Sequence, residues 1–249
     1  MPTALFAKNN PCVYSNSIIN AKDCMLNNNS VLVVLPAKDE ELGLSFVLGA
    51  MPSFVDRKIV IDNASLDNTA KVAADFGCEL IFEPKKGKGN AFKAFIDALS
   101  FDDNDYVVML DADGSYDPHE IENMITPLRD GSDVVMGDRL HGTREKDSLS
   151  AINLFGDIVL TKLAGILYKK NVFDLCTGYW AFKGSALKKL RVTASSFDLE
   201  ADLFSNVVKY NLALSNVRIS YRKRIGREKI RFYHGILILW RIFFNRFQS

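Results

Sequence analysis

Residues 107–118 read V-V-M-L-D-A-D-G-S-Y-D-P. Four apolar residues run straight into Asp111 and Asp113. An apolar run of this kind is the pattern of a strand buried on both faces. The two carboxylates then fall at its C-terminal tip, where open α/β sheets bind ligands. Alternate side chains of an extended backbone point the same way, so both carboxylates are expected to face one point. That arrangement suits a divalent cation held against a phosphate. Taken alone, the pair reads equally well as a polar turn.

Working outward, 31–35 (V-L-V-V-L), 58–61, 79–82 and 134–136 are further strands. Helical stretches through about 49, to about 76 and over 90–99 separate the first four strands. Asp39 is the expected N-cap of the first helix, with Glu40 and Glu41 in its first turn. Pro118 fits the first position of the helix after the D-x-D. Strands alternating with helices predict βαβ units and a doubly wound, mostly parallel sheet with helices on both faces. The polar clusters after each strand then line one sheet edge.

Farther on, 151–168 is a long helix whose stripe of Ile152, Phe155, Val159, Leu163, Ile166 and Leu167 is expected to face the core. A strand over 177–182, a helix over 199–210 and a last strand over 212–220 follow. The segment 230–247 is an amphipathic helix with basic flanks, suited to a membrane interface or to packing on the domain. Residues 1–30, rich in Asn and Ser, read as a poorly ordered extension. The expected organisation is therefore this extension, one domain over 31–230, and a basic amphipathic helix over 231–249.

The 249 residues carry a formal charge of +1, which conceals an asymmetry. From Arg218 onward there are nine Lys or Arg against one acidic residue; the remainder carries 22 basic and 29 acidic groups. A basic tail on an acidic body points to a polyanion, phosphate or anionic membrane surface. Cys12, Cys24, Cys78 and Cys176 show no C-x-x-C spacing, which argues against structural zinc and fits a reducing cytoplasm. No basic-then-apolar leader is visible over 1–30. No window reaches the roughly 20 apolar residues of a membrane span, so any membrane association is expected to be peripheral.

A dinucleotide-binding G-x-G-x-x-G would follow the first strand, where P-A-K-D-E stands instead, and no P-loop is present. The D-x-D-G-S resembles the nucleophile motif of haloacid-dehalogenase-type phosphatases. That motif normally follows the first strand, however, and here the pair follows the fourth.

The motifs V-L-V-V-L-P-A-K-D-E (31–40), I-V-I-D-N-A-S-L-D-N-T (59–69), G-K-G-N-A (87–91) and the D-x-D stretch, in this order, resemble family 2 glycosyltransferases of the GT-A fold. Within that family the likeness is to polyprenyl-phosphate sugar synthases of the dolichyl-phosphate mannosyltransferase type. V-V-M-G-D-R (134–139), D-L-C-T-G-Y-W-A-F-K (174–183), F-D-L-E-A-D (197–202) and Y-R-K-R-I-G-R-E-K-I (221–230) extend it.

The resemblance implies a nucleotide-sugar site at Pro36, Glu40, Asp62, Lys88, Asp111, Ala112 and Asp113. It implies Mg²⁺ or Mn²⁺ on Asp111 and Asp113, with Ser115 as a further ligand. Arg139, Arg224 and Lys229 would bind the phosphate of a dolichyl or polyprenyl phosphate acceptor, with Asp113, Arg139 and Arg224 as the catalytic set. Such an enzyme would transfer a hexose with inversion, working peripherally on the cytoplasmic face of a membrane and using no nucleic acid. Ser115, Asn63, Tyr179-Trp180 and Glu228 depart from the mannosyl-type pattern, which favours a UDP-hexose such as UDP-GlcNAc or UDP-glucose over GDP-mannose. Two alternatives stay open: transfer to a glycan hydroxyl, with Asp174 or Glu200 as base, and a binding protein built on an inactive domain.

Overall fold

The structure is a computed structural model that describes residues 29–227, 229 and 232–247. The expected extension over 1–30 lies, but for its last two residues, outside that range. The elements are β1 (Val31–Ala37), α1 (Glu41–Gly49), β2 (Arg57–Asp62), α2 (Thr69–Asp75), β3 (Glu79–Phe82), α3 (Lys88–Ala98) and β4 (Tyr106–Met109). A 3₁₀ turn (Pro118–Glu120) leads into α4 (Ile121–Arg129), β5 (Val134–Asp138), α5 (Ala151–Tyr168) and β6 (Trp180–Lys183). The chain ends in α6 (Gly184–Leu187), α7 (Leu199–Lys209), β7 (Leu214–Arg218) and α8 (Phe232–Phe247).

The strands form one sheet in the order β3-β2-β1-β4-β6-β5-β7. Its central strands are buried on both faces, as their unbroken apolar runs predict. In β4, Val107 and Met109 join one core, with Phe92 and Phe95 of α3 and Phe204 of α7. Tyr106 and Val108 join the other, with Leu44 and Val47 of α1 and Ile125 of α4. The result is a helix–sheet–helix sandwich.

The sheet departs from the parallel pattern at one strand. β6 lies antiparallel between β4 and β5, with Trp180 opposite Met109 and Met136. A four-residue apolar strand carries no sign of its own direction, so sequence alone left this undecided. The consequence is functional: β6 starts at the edge where β4 ends, and delivers Gly178 there.

Two expected helix features change. Asp39 does not cap α1. It adopts φ +48° and its carboxylate accepts from the Leu66 N–H at 2.6 Å. The free N–H groups at the start of α1 are met by the neighbouring loop instead: Glu40 N donates to Thr69 Oγ1 (2.9 Å) and Glu41 N to Asp67 (3.1 Å). Most of the expected apolar stripe of α5 (Ile152, Phe155, Val159 and Ile166) faces outward, while Leu167 packs against the core. Leu160, Thr161 and Ala164 are buried, while Ile152 and Ile166 are 66% and 73% exposed. The helix is apolar on most sides, so its sequence pattern does not mark which side meets the core.

Among the described residues α5 is long and apolar enough to cross a membrane by length and composition, with 11% of it buried. The expectation that no window reaches a membrane span therefore needs this amendment. α8 packs on the domain through Ile238 and Ile242, which belong to the core, and through Arg241, whose guanidinium binds Asp198 at 2.6 Å. Its other side leaves Ile236, Trp240 and Phe247 exposed.

Candidate functional site

The site forms where β1, β2 and β4 end. β4 stops at Met109, so Asp111 and Asp113 stand in the turn beyond it. Strand alternation does not extend that far, and the two carboxylates do not share one partner set as the sequence suggested. Each enters its own ion-pair cluster. Gly114 makes the turn at φ +79°, where an added Cβ would also approach Ile225 Cδ1 to 3.0 Å.

The first cluster is a part-buried triad, with Glu200 buried and Asp111 the most exposed member. Lys88 Nζ lies 2.5 Å from Asp111 Oδ1 and 2.6 Å from Glu200 Oε1. Burial acts to strip the lysine proton, but the two carboxylates outweigh it and hold the pKa above its ordinary value. Burial raises the Glu200 carboxyl despite Lys88. Gly178 packs against this triad; a Cβ there would come within 2.8 Å of Asp111 Cγ and 2.9 Å of Lys88 Nζ. Gly178 N also donates to Tyr116 Oη at 2.6 Å.

The second cluster joins Asp113 to the basic segment. Segment 221–227 runs beside 113–116: Ile225 N donates to Asp113 O (2.7 Å) and Arg222 N to Ser115 O (2.8 Å). Arg224 Nη2 then lies 3.2 Å from Asp113 Oδ2 and 2.8 Å from Glu40 Oε1. Lys229 binds the same Glu40 carboxylate and reaches Asp39 O at 3.3 Å. Burial pushes the Glu40 carboxyl up to about 7, against the pull of Lys229 and Arg224. The Asp113 Oδ1 atom accepts from both Ser115 N (3.0 Å) and Ser115 Oγ (2.6 Å).

Arg139 is placed differently from expectation. It is 4% exposed, and its fork is spent on Asp174 at 2.7 and 2.8 Å and on Asp157 at 2.9 Å. Tyr221 covers it, with the ring centroid 5.1 Å from the guanidinium carbon. Burial opposes the charge, and Asp174 and its neighbours more than restore it. Sequence could not separate Arg139 from Arg224, because both fall inside motifs of the resemblance and the distinction lies in their partners.

Of the remaining candidates, Asp62 is buried and accepts from Ser65 N at 3.0 Å, shaping the turn after β2. Pro36 is part-buried near the end of β1, and Ala112 is buried between the two aspartates. Asn63 has a function the sequence reading missed. Its amide donates to Glu83 O and Lys85 O and its carbonyl accepts from Gly87 N, at 3.0, 2.7 and 2.6 Å. It thereby fixes the loop that presents Lys88.

Among the described residues no group of three or more His, Cys, Asp or Glu converges as a ready-made metal centre. Asp111 and Asp113 nevertheless offer hard oxygen donors of the type Mg²⁺ and Mn²⁺ accept when substrate phosphates complete the coordination. The donor chemistry therefore fits such an ion.

Known proteins resemble this chain in sequence and in fold. The dolichyl-phosphate hexose transferase of Haloferax volcanii is 28% identical over 204 residues, covering 81% of this chain and 87% of that protein. Glycosyltransferase AglJ of the same organism is 27% identical over 166 residues, which is 67% of this chain but 54% of AglJ. Glucosyl-3-phosphoglycerate synthase of Mycobacterium tuberculosis, solved with Mn²⁺, UDP and phosphoglyceric acid, superposes with a TM-score of 0.71. That match covers 88% of this chain and 79% of the synthase at 20% identity, so it is a likeness of GT-A fold. The family pattern itself matches residues 33–191, from β1 through the D-x-D turn to beyond β6, and with it the chain belongs to glycosyl transferase family 2.

Proposed function

We propose that the chain transfers a hexose from a nucleoside diphosphate sugar to a polyprenyl phosphate of the dolichyl type, with inversion, at the cytoplasmic face of a membrane. The observation that carries the acceptor assignment is the state of the two carboxylates a hydroxyl acceptor would need as base. Asp174 is committed to Arg139, and Glu200 to Lys88. A phosphate monoester needs no base, since its second pKa of about 6 leaves it largely ionised near neutrality. What it needs is cationic contacts, and Arg224 lies against Asp113 while Lys229 lies against Glu40, which Arg224 also binds. The name of the Haloferax relative is consistent with this acceptor.

In this reading Lys88, Asp111 and Asp113 face the donor diphosphate, and Asp62, Pro36 and Glu40 its nucleoside. Asp113 and Asp111 would hold Mg²⁺ or Mn²⁺, which supplies charge neutralisation on the leaving diphosphate. Arg224 and Lys229 take the acceptor phosphate by charge-assisted hydrogen bonds. Arg139 acts beneath them as a structural cation that orders Tyr221 and Asp174. A UDP-hexose is the preferred donor, with GDP-mannose as the alternative. The test is incubation with a panel of radiolabelled nucleotide sugars, polyprenyl phosphate and Mn²⁺, followed by extraction into organic solvent. Label enters the lipid phase with one donor. Label that reaches a glycan acceptor but never the lipid refutes the assignment.

The exposed apolar side chains of α5 and α8 are the surfaces proposed to rest in the bilayer interface. The two helices touch, with Tyr168 Oη donating to Ile242 O at 2.9 Å. Removing α8 is a poor test, because it would strip Ile238 and Ile242 from the core. Serine at Ile152, Phe155 and Trp240 is the cleaner change, since all three are at least half exposed and exposed substitutions cost little stability. Flotation with anionic liposomes should fall severalfold while the melting temperature holds; unchanged flotation would exclude these faces.

A further inference from the structure

The contact between Arg224 and Asp113 has a consequence for the order in which the substrates bind. Asp113 Oδ1 is filled by two donors from Ser115, so Oδ2 is the oxygen left for a ligand, and Arg224 Nη2 lies 3.2 Å from it. The same nitrogen also binds Glu40 at 2.8 Å. The Arg224 Nε is buried and bonds nothing among the described residues. A guanidinium donates best as a fork, and a buried donor left unmade is costly. Its present position therefore satisfies the charge of Asp113 without using the full fork. The backbone bond from Ile225 N to Asp113 O, 2.7 Å, keeps the residue beside that carboxylate.

Resting on the functional reading above, we infer that Arg224 is a shared cation, held on Asp113 and Glu40 until the donor loads and then passed to the acceptor phosphate. A second cation bound at Asp113 repels the Arg224 guanidinium beside that carboxylate, so loading of the donor edge loosens Arg224 and frees its fork. Donor loading thereby becomes the condition for tight acceptor binding, and the order of binding follows from one side chain with two anionic partners. Arg224 acts here as a gatekeeping cation as well as an acceptor contact. The linkage is reciprocal: whatever removes the Arg224 charge must strengthen cation binding at Asp113.

Mn²⁺ affinity without nucleotide, read from the electron paramagnetic resonance signal of free Mn²⁺, tests the first half. Arg224→Gln should bind Mn²⁺ on the order of tenfold more tightly than the wild type, as expected when a like charge a few ångströms away is removed from a part-buried site. Asp113→Asn added to it should abolish the gain. Lys229→Gln, which removes a charge bonded to Glu40 and not to Asp113, should give a clearly smaller gain. Equal or weaker Mn²⁺ binding by Arg224→Gln, or equal gains in both variants, overturns the proposal. The second half is read by farnesyl phosphate binding with and without UDP and Mn²⁺. The wild type should bind about tenfold more tightly when loaded, by the same estimate; equal binding in the two states overturns the handover. A Mn²⁺ gain with no farnesyl phosphate binding in either state would overturn the acceptor assignment while leaving the counter-ion role standing.

Discussion

Transfer activity falls by about three orders of magnitude when Asp113 is replaced by alanine, the scale on which a preorganised electrostatic group contributes to a transition state. Asp113 is 7% exposed, at the turn where the donor diphosphate is proposed to bind. The substitution removes the oxygen that Arg224 now faces and the acceptor for Ser115 N and Oγ. Asp113→Asn separates charge from shape. It keeps an oxygen for Ser115, so a loss comparable to that of alanine assigns the effect to the negative charge. The measurement is initial rate of label transfer to lipid at saturating Mn²⁺, with circular dichroism to confirm the fold. Full activity in Asp113→Ala would end the metal argument.

The second large effect is on stability. Arg139→Met leaves Asp174, which is wholly buried, and the largely buried Asp157 without their cation. Breaking a buried ion pair from one side costs about 3–5 kcal/mol, because a charge stays in a medium that cannot solvate it. For a chain of this size that is a drop of about 10 °C in melting temperature. Adding Asp174→Asn removes one stranded charge and should recover part of the loss. A melting temperature that holds while acceptor affinity collapses would return Arg139 to the role its motif suggested, that of a direct phosphate ligand.

These two experiments bear on different kinds of information. The apolar runs 31–35 and 107–110 predict strands buried on both faces, and the structure places them at the centre of the sheet, side by side. The position of the D-x-D at the tip of the fourth strand followed from the same pattern. Lys88 after a short glycine loop was legible too, since a helix start offers N–H groups and a nearby cation to an anion. The motif order was enough to bring the family into view before any coordinates.

The partners of each charge were not legible. Glu200 stands 112 positions from Lys88, and Arg224 is 184 from Glu40. Nothing local marks one arginine as spent on Asp174 and another as shared between Asp113 and Glu40. The direction of β6 was equally hidden, yet it brings Gly178 against Asp111 and Lys88. The apolar stripe of α5 pointed to a core and proved to be largely surface, with Leu167 of that stripe packing on the core.

By itself, then, the sequence determined the alternation of strands and helices, the edge on which the polar turns gather, and the family. Those properties depend on periodicity and on residues within a few positions of one another, which local sterics and burial control. The tertiary structure alone decided which carboxylates are free, which are neutralised, and which apolar faces remain uncovered. Such properties depend on contacts between segments far apart in the chain, and a charge has no fixed role until its counter-ion is known.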